Sequence, residues 1–339
     1  MSETVKKREL GKGIDIGTMF VKCAHREGKE IIFSSQRNAF FEVEYNDFTR
    51  SILDKSNVRY IVKDDKLYVV GDEALQFANM FNKETRRPLS KGVINPQERE
   101  ALPIIELLIK NTIGDPIIEN EIAYFSIPGE PIDAEFNVLF HSKTVEGFLR
   151  TLGYDAKPIN EGHAIVLSEC SNENFTAFGI SCGGGMVNIC LAFNSIPIFK
   201  FSIAKSGDWI DRQVSMAVNE TASRITRVKE TSLDLSKKDG SKIESALRIY
   251  YNHLIEYIIE NIKYRLETTE SLPEFDKPIN MILAGGTSMP NGFDILFKEH
   301  ISRAKFPILI GDVKRAQNPI RTVSKGALVA AVVDEKKKK

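Results

Sequence analysis

Two stretches of the chain share one pattern of apolar and polar positions. The first apolar run extends from Gly13 through Ala24, breaks at Glu27, Gly28 and Lys29, and resumes at Ile31 to Phe33, which predicts strands joined by a glycine turn. Phe178 to Phe193 and Ile196 to Ile203 repeat this, with Asn194 and Ser195 as the turn. Laid side by side, Gly13, Ile14, Gly17 and Val21 coincide with Gly179, Ile180, Gly183 and Val187, so an internal duplication is expected.

The segments beyond each meander extend the parallel. After the first comes a polar, irregular region to about Arg87, then a helical pattern from Arg99 to Asn111 and a strand at Ile122 to Ile127 closed by Pro128 and Gly129. A helix is expected from Asp133 to Leu152. After the second, Ser206-Gly207-Asp208 reads as a helix N-terminus leading an amphipathic stretch from Ile210 to Val218. Ile243, Leu247, Tyr250, Leu254, Tyr257, Ile258 and Ile262 recur at three- and four-residue steps, one face of a long helix. Ile279 to Ala284 is a short buried strand ending in Gly285-Gly286, with a helix beginning near Asn291. Strands alternating with helices predict an α/β fold.

Composition narrows the function classes. The 339 residues are 42% hydrophobic, enough for two domains with cores. Basic and acidic residues balance at 46 each, so no overall field favours nucleic acid, and nucleic-acid binding is not expected. Cys23, Cys170, Cys182 and Cys190 have neither CxxC spacing nor a secretory context and read as reduced, buried thiols. No run approaches the roughly 18 apolar residues a transmembrane segment needs, which leads to the expectation of a cytoplasmic protein.

Three glycine turns carry the candidate chemistry. Gly13 to Thr18 runs a strand into a tight turn where backbone N–H groups can approach an anion. Asp15 is placed to hold a hydrated Mg²⁺, and Lys22 to put positive charge on a phosphate. Read alone, the segment is equally a plain hairpin with an exposed acid and base. Gly183-Gly184-Gly185 is a second such turn, costly in backbone entropy for a merely structural hairpin. Leu283 to Pro290 carries a strand through Gly285 and Gly286 toward Thr287 and Met289, at the strand end where open α/β sheets commonly bind nucleotides.

Taken in order, these turns resemble the superfamily of actins, 70-kilodalton heat-shock chaperones and sugar kinases. The first phosphate motif matches Gly13 to Thr18, the second Gly179 to Gly185 and the adenosine motif Ile282 to Pro290. The two linking helices match Ile159 to Ala164 and Val323 to Leu328. Arg87 to Ile94 is similar to the segment preceding the first large helix in bacterial cell-shape and magnetosome-filament actins, MreB and MamK. The resemblance implies a two-lobed actin-like ATPase fold of duplicated ribonuclease-H-like domains around a nucleotide cleft. Domain I would comprise residues 1–164 with a C-terminal helix at 318–335 and a small subdomain at about 36–86. Domain II would comprise 165–317, with its small subdomain at about 221–275.

It further implies ATP or ADP with Mg²⁺ as ligands. Asp15, acting on the metal through water, Gly17, Thr18, Met19 and Lys22 would lie on one side of the phosphates, and Gly183, Gly184 and Gly185 on the other. Gly285, Gly286, Thr287 and Met289 would flank the adenosine, with Arg227 and Lys229 packing on the purine. Glu161 falls where the family orients the attacking water. The implied partner is the protein itself, in a head-to-tail filament of paired strands carrying an unidentified cargo or adaptor.

The second motif departs from the family, with Ser181 in place of the usual Asp, Met186 near a usual Thr and Asn188 near a frequent Asp. A neutral Ser181 predicts slow hydrolysis, about 10- to 100-fold reduced if one charge-assisted contact is lost. Two other readings stay open: a sugar- or acetate-type kinase, for which no dedicated base or sugar pocket is visible, and an ATP-binding adaptor that does not polymerise. The terminal lysines 336–339 read as a solvated tail.

Overall fold

The computed structural model describes residues 8–81 and 84–338. The first three strands are β1 (Lys12–Ile16), β2 (Phe20–Glu27) and β3 (Glu30–Arg37). A small unit comes next, made of β4 (Phe40–Glu44), α1 (Asp47–Lys55), β5 (Tyr60–Lys63), β6 (Lys66–Val70) and α2 (Asp72–Met80), with its own sheet in the order β4-β6-β5. It replaces the irregular region expected before Arg87. Polar exposed positions interrupt its pattern, yet Phe41, Leu53, Leu67, Val69 and Phe77 close a separate small core.

The chain then forms the short pair β7 (Leu89–Ser90) and β8 (Val93–Ile94), α3 (Ala101–Ile113), β9 (Glu121–Ile127), α4 (Val138–Thr151), β10 (Tyr154–Asn160) and α5 (Glu161–Glu169). The helix expected from Asp133 begins only at Val138, where the Asn137 side chain accepts from Phe140 N. The backbone before it is engaged elsewhere. Ser202 N donates to Glu130 O, Ile132 N to Ser202 O, and Ala204 N to the Asp133 carboxylate.

The second half contains β11 (Ala177–Cys182), β12 (Val187–Phe193), β13 (Ile196–Ile203), α6 (Gly207–Val218), α7 (Ala222–Thr231), α8 (Lys242–Thr268), β14 (Ile279–Ala284), α9 (Phe293–Arg303), β15 (Ile310–Arg315) and α10 (Thr322–Lys337). Asn194 and Ser195 both adopt positive φ, which suits the tight turn between β12 and β13. Ser241 and Glu244 form a reciprocal capping box that starts α8.

The two five-stranded sheets are topological copies. Their orders are β10-β9-β1-β2-β3 and β13-β12-β11-β14-β15, each with a central strand flanked by antiparallel meander strands on one side and parallel strands on the other. The expected duplication is therefore present in three dimensions. It extends to packing: a Cβ on Gly13 would lie 2.1 Å from Ser324 O of α10, and one on Gly179 would lie 2.0 Å from Gly162 O of α5. Glycine at these equivalent positions lets each connecting helix lie directly on its central strand. α5 and α10 also pack on each other between the sheets, with Gly326 against Ala164.

All four cysteines are buried and free, and burial pushes their thiols up, to about 11 for Cys23 and about 12 for the others. His141 on α4 is fully buried with no protein partner for either ring nitrogen, and burial pushes its pKa down to about 4. No helix among the described residues is long and apolar enough to cross a membrane.

Candidate nucleotide cleft

The central strands β1 and β11, with β10 and β14 of their parallel neighbours, lead into the same cleft. At the end of β1, Gly17 N donates to Phe20 O at 2.9 Å, while Asn38 holds Gly17 O through Nδ2 and Met19 O through its backbone N–H. This fixes the Gly17 to Met19 turn. Buried Asp15 sits beneath it, paired with Lys22 Nζ at 2.7 Å across the β1–β2 register, and Ser126 Oγ donates to its other oxygen at 3.2 Å.

The second turn faces the first. A Cβ on Gly185 would lie 2.4 Å from Thr18 Oγ1, so only glycine lets the two turns approach this closely. Thr18 Oγ1 accepts from Gly92 N at 3.0 Å, locking the Arg87 to Ile94 segment against the same point. The Gly183 carbonyl gathers three donors, accepting from Ser206 Oγ at 2.5 Å and Gly207 N at 3.3 Å at the start of α6 and from Thr287 Oγ1 at 2.6 Å. Thr287 is therefore committed to shaping the turn.

Glu161 opens α5 at the floor of the cleft, next to the capping residue Asn160. Ser181 Oγ donates to its Oε2 at 2.7 Å. Burial, aided by the negative charge of Asp15, pushes the Glu161 pKa up to about 7, opposed by Ser181, Lys22 and Asn188.

On the far side, buried Lys229 donates to Asp211 Oδ2 at 2.7 Å and to Gly207 O at 3.1 Å. Burial raises the Asp211 pKa, with Lys229 and Thr226 countering it. Thr226, Lys229 and Glu230 recur at three- and four-residue spacing and face the cleft, whereas Arg227, about 100° away on the helix, is exposed and is not among the lining residues. The space enclosed is 320 Å³, and every other expected site residue borders it.

The sequence matches the Volactin family model over residues 10–331. The chain belongs to the Volactin family. No curated protein matches it in sequence. Among solved structures, this Volactin-family chain is similar to the MamK double helical filament, with a TM-score of 0.74 at 19% identity, covering 95% of this chain and 98% of that one. MreB 5 of Spiroplasma citri bound to AMPPNP gives 0.68 at 15% identity, with 99% of both chains covered. The ethanolamine utilization protein EutJ from Carboxydothermus hydrogenoformans gives 0.53 at 14% identity, covering 95% and 89%. These likenesses establish the two-lobed actin-like fold.

The donor set of the Volactin-family cleft constrains any metal. Among the described residues no group of three or more His, Cys, Asp or Glu side chains could hold an ion. Asp15, paired with Lys22, would fit a hydrated Mg²⁺ held through water.

Several lining residues escaped the sequence reading: Asp208, Asp211, Thr226, Glu230, Pro319 and Ile320. The Ser206 to Asp208 cap was visible only as a helix start. The spacing of Thr226, Lys229 and Glu230 was the one available signal that these three share a face.

Proposed function

We propose that this protein binds ATP in the cleft, assembles head to tail into filaments and hydrolyses the nucleotide slowly. The observation that carries this reading is the convergence of both glycine turns and the Gly285 to Met289 segment on one cleft between duplicated lobes. In this reading, backbone N–H groups of the Gly17 to Met19 and Gly183 to Gly185 turns hold the phosphates, and Lys22 neutralises them. Asp15 would hold Mg²⁺ through water, and the ion would supply charge neutralisation to the phosphates. Glu161 accepts a hydrogen bond from the attacking water.

Ser181 lends Glu161 a neutral hydrogen bond and brings no charge of its own, which favours slow turnover. Residues 1–164 with the C-terminal helix, and 165–317, act as the two closing bodies, and closure aligns the protomer for heterologous addition. The filament is cytosolic, with cargo and strand pairing to be determined by the same assays.

The test is high-speed pelleting with no nucleotide, ATP or a non-hydrolysable analogue, with each pellet imaged by negative-stain electron microscopy. Nucleotide-dependent filaments are the expected result. Monomers at all concentrations and salts would overturn the reading, and ADP production without polymer would replace it with a small-molecule kinase.

A further inference from the structure

Two open troughs outside the nucleotide cleft have opposite character. The first, 590 Å³, lies along the segment between β9 and α4 and is lined by Glu130 and Glu135 together with Phe136 and Val138, with no Lys or Arg among its lining residues. Its surroundings are apolar and exposed: Ile132 is 42% exposed, Leu139 68% and Phe140 49%. Lys91 Nζ lies 5.0 Å over the Phe136 ring.

The second trough, 600 Å³, lies between α9 and the end of β15. Lys298, Lys314 and Arg315 line it against a single acid, Asp294, giving a local balance of about +2 where the first has about −2. Asp312, outside the lining, lies 3.5 Å from Lys314, with both side chains at least half exposed, so the pair is loosely screened by water. Exposed Met289, with Ala316 and Pro319, supplies its apolar component.

The basic trough also adjoins the cleft. Met289 and Pro319 line both, and Arg315 Nη1 donates to Met289 O at 2.9 Å. A nucleotide seated against Met289 and Pro319 therefore bears directly on the trough wall.

Resting on the filament reading above, we propose that the acidic trough of one copy docks on the basic trough of the next, and that Met289 and Pro319 make this contact respond to nucleotide. Opposite charge and a common apolar component make the surfaces mutually complementary, and because they are two different surfaces of one chain the contact is heterologous. Such a contact propagates rather than closing as a dimer.

Two full-length variants test it: Glu130→Lys with Glu135→Lys, and Lys298→Glu with Lys314→Glu. None of the four residues lines the nucleotide cleft. Circular dichroism and binding of a fluorescent ATP analogue establish that each variant is folded and loaded. Each alone is expected to raise the critical concentration for ATP-dependent pelleting about 10-fold or more, because like charges then face each other. An equimolar mixture is expected to restore pelleting as an alternating copolymer, since each reversed trough then meets an opposite one. Pelleting of either variant at the wild-type critical concentration overturns the proposal, as does a mixture that stays soluble. Both outcomes leave nucleotide-dependent filaments of the wild type untouched, whereas a wild type that never pellets refutes the filament reading itself.

Discussion

His141 and Glu161 give the protein two opposed pH dependences that single substitutions separate. The folded His141 has a pKa of about 4 against an ordinary 6.5, so between those values the unfolded chain binds an extra proton and stability rises with pH. Glu161 behaves oppositely. Its folded pKa of about 7 against 4.5 means the folded chain binds the extra proton, so stability falls as pH rises through that window. From about pH 8 to pH 5, linkage gives a loss of about 2 kcal/mol through His141 and an opposing gain through Glu161.

His141→Leu removes the first effect. Relative to wild type, this variant is expected to gain about 2 kcal/mol on moving from about pH 8 to pH 5, whatever its absolute stability. Glu161→Gln is expected to lose stability relative to wild type over the same interval. Urea unfolding of the nucleotide-free protein at both pH values reads these differences directly. If His141→Leu keeps the wild-type pH dependence, the buried imidazole is already protonated or solvated in the folded state, and the reasoning fails.

The cleft yields three further expected outcomes. Lys22→Ala removes a charge-assisted contact of about 1.5 to 3 kcal/mol and should weaken fluorescent-ATP binding about 10- to 100-fold; wild-type affinity would place the Lys22 ammonium away from the phosphates. Gly185→Ala should abolish tight nucleotide binding because its methyl carbon meets Thr18 Oγ1, while Gly147→Ala, with open space around it in α4, should raise thermal stability by about 0.5 to 1 kcal/mol; equal behaviour of the two would refute the crowding argument. Ser181→Ala strips a donor from Glu161 and should move the acid limb of phosphate release about one pH unit upward, a shift that an unchanged profile would disprove.

The central strands were legible because glycine and apolar spacing recur there. Adding the offset of 166 between Gly13 and Gly179 to β3, Glu30–Arg37, gives residues 196–203, the span of β13. In the two large sheets, the strands missed were edges. β10 carries Asp155, Lys157 and Pro158, and β15 carries Asp312, Lys314 and Arg315, polar residues and a proline that an edge tolerates and that erase an apolar run. In the cleft, the glycine turns announced themselves, but Asp211 and Thr226 depend on how α6 and α7 pack together, which no local pattern encodes. The bond from Ser181 to Glu161 likewise joins residues on β11 and α5 through the sheet, so the sequence revealed the substitution without its partner.

Both ends of the described chain meet one loop. Arg8 Nη1 reaches Asp115 O and Lys338 Nζ reaches Asn120 O, so both ends lie on the side of the first sheet where β9 begins, opposite the strand ends that border the cleft. A fluorescent label attached at position 8 or at position 338 would sit at nearly the same point. Labelled pairs would then report on the separation of neighbouring protomers, independent of which end carried the dye.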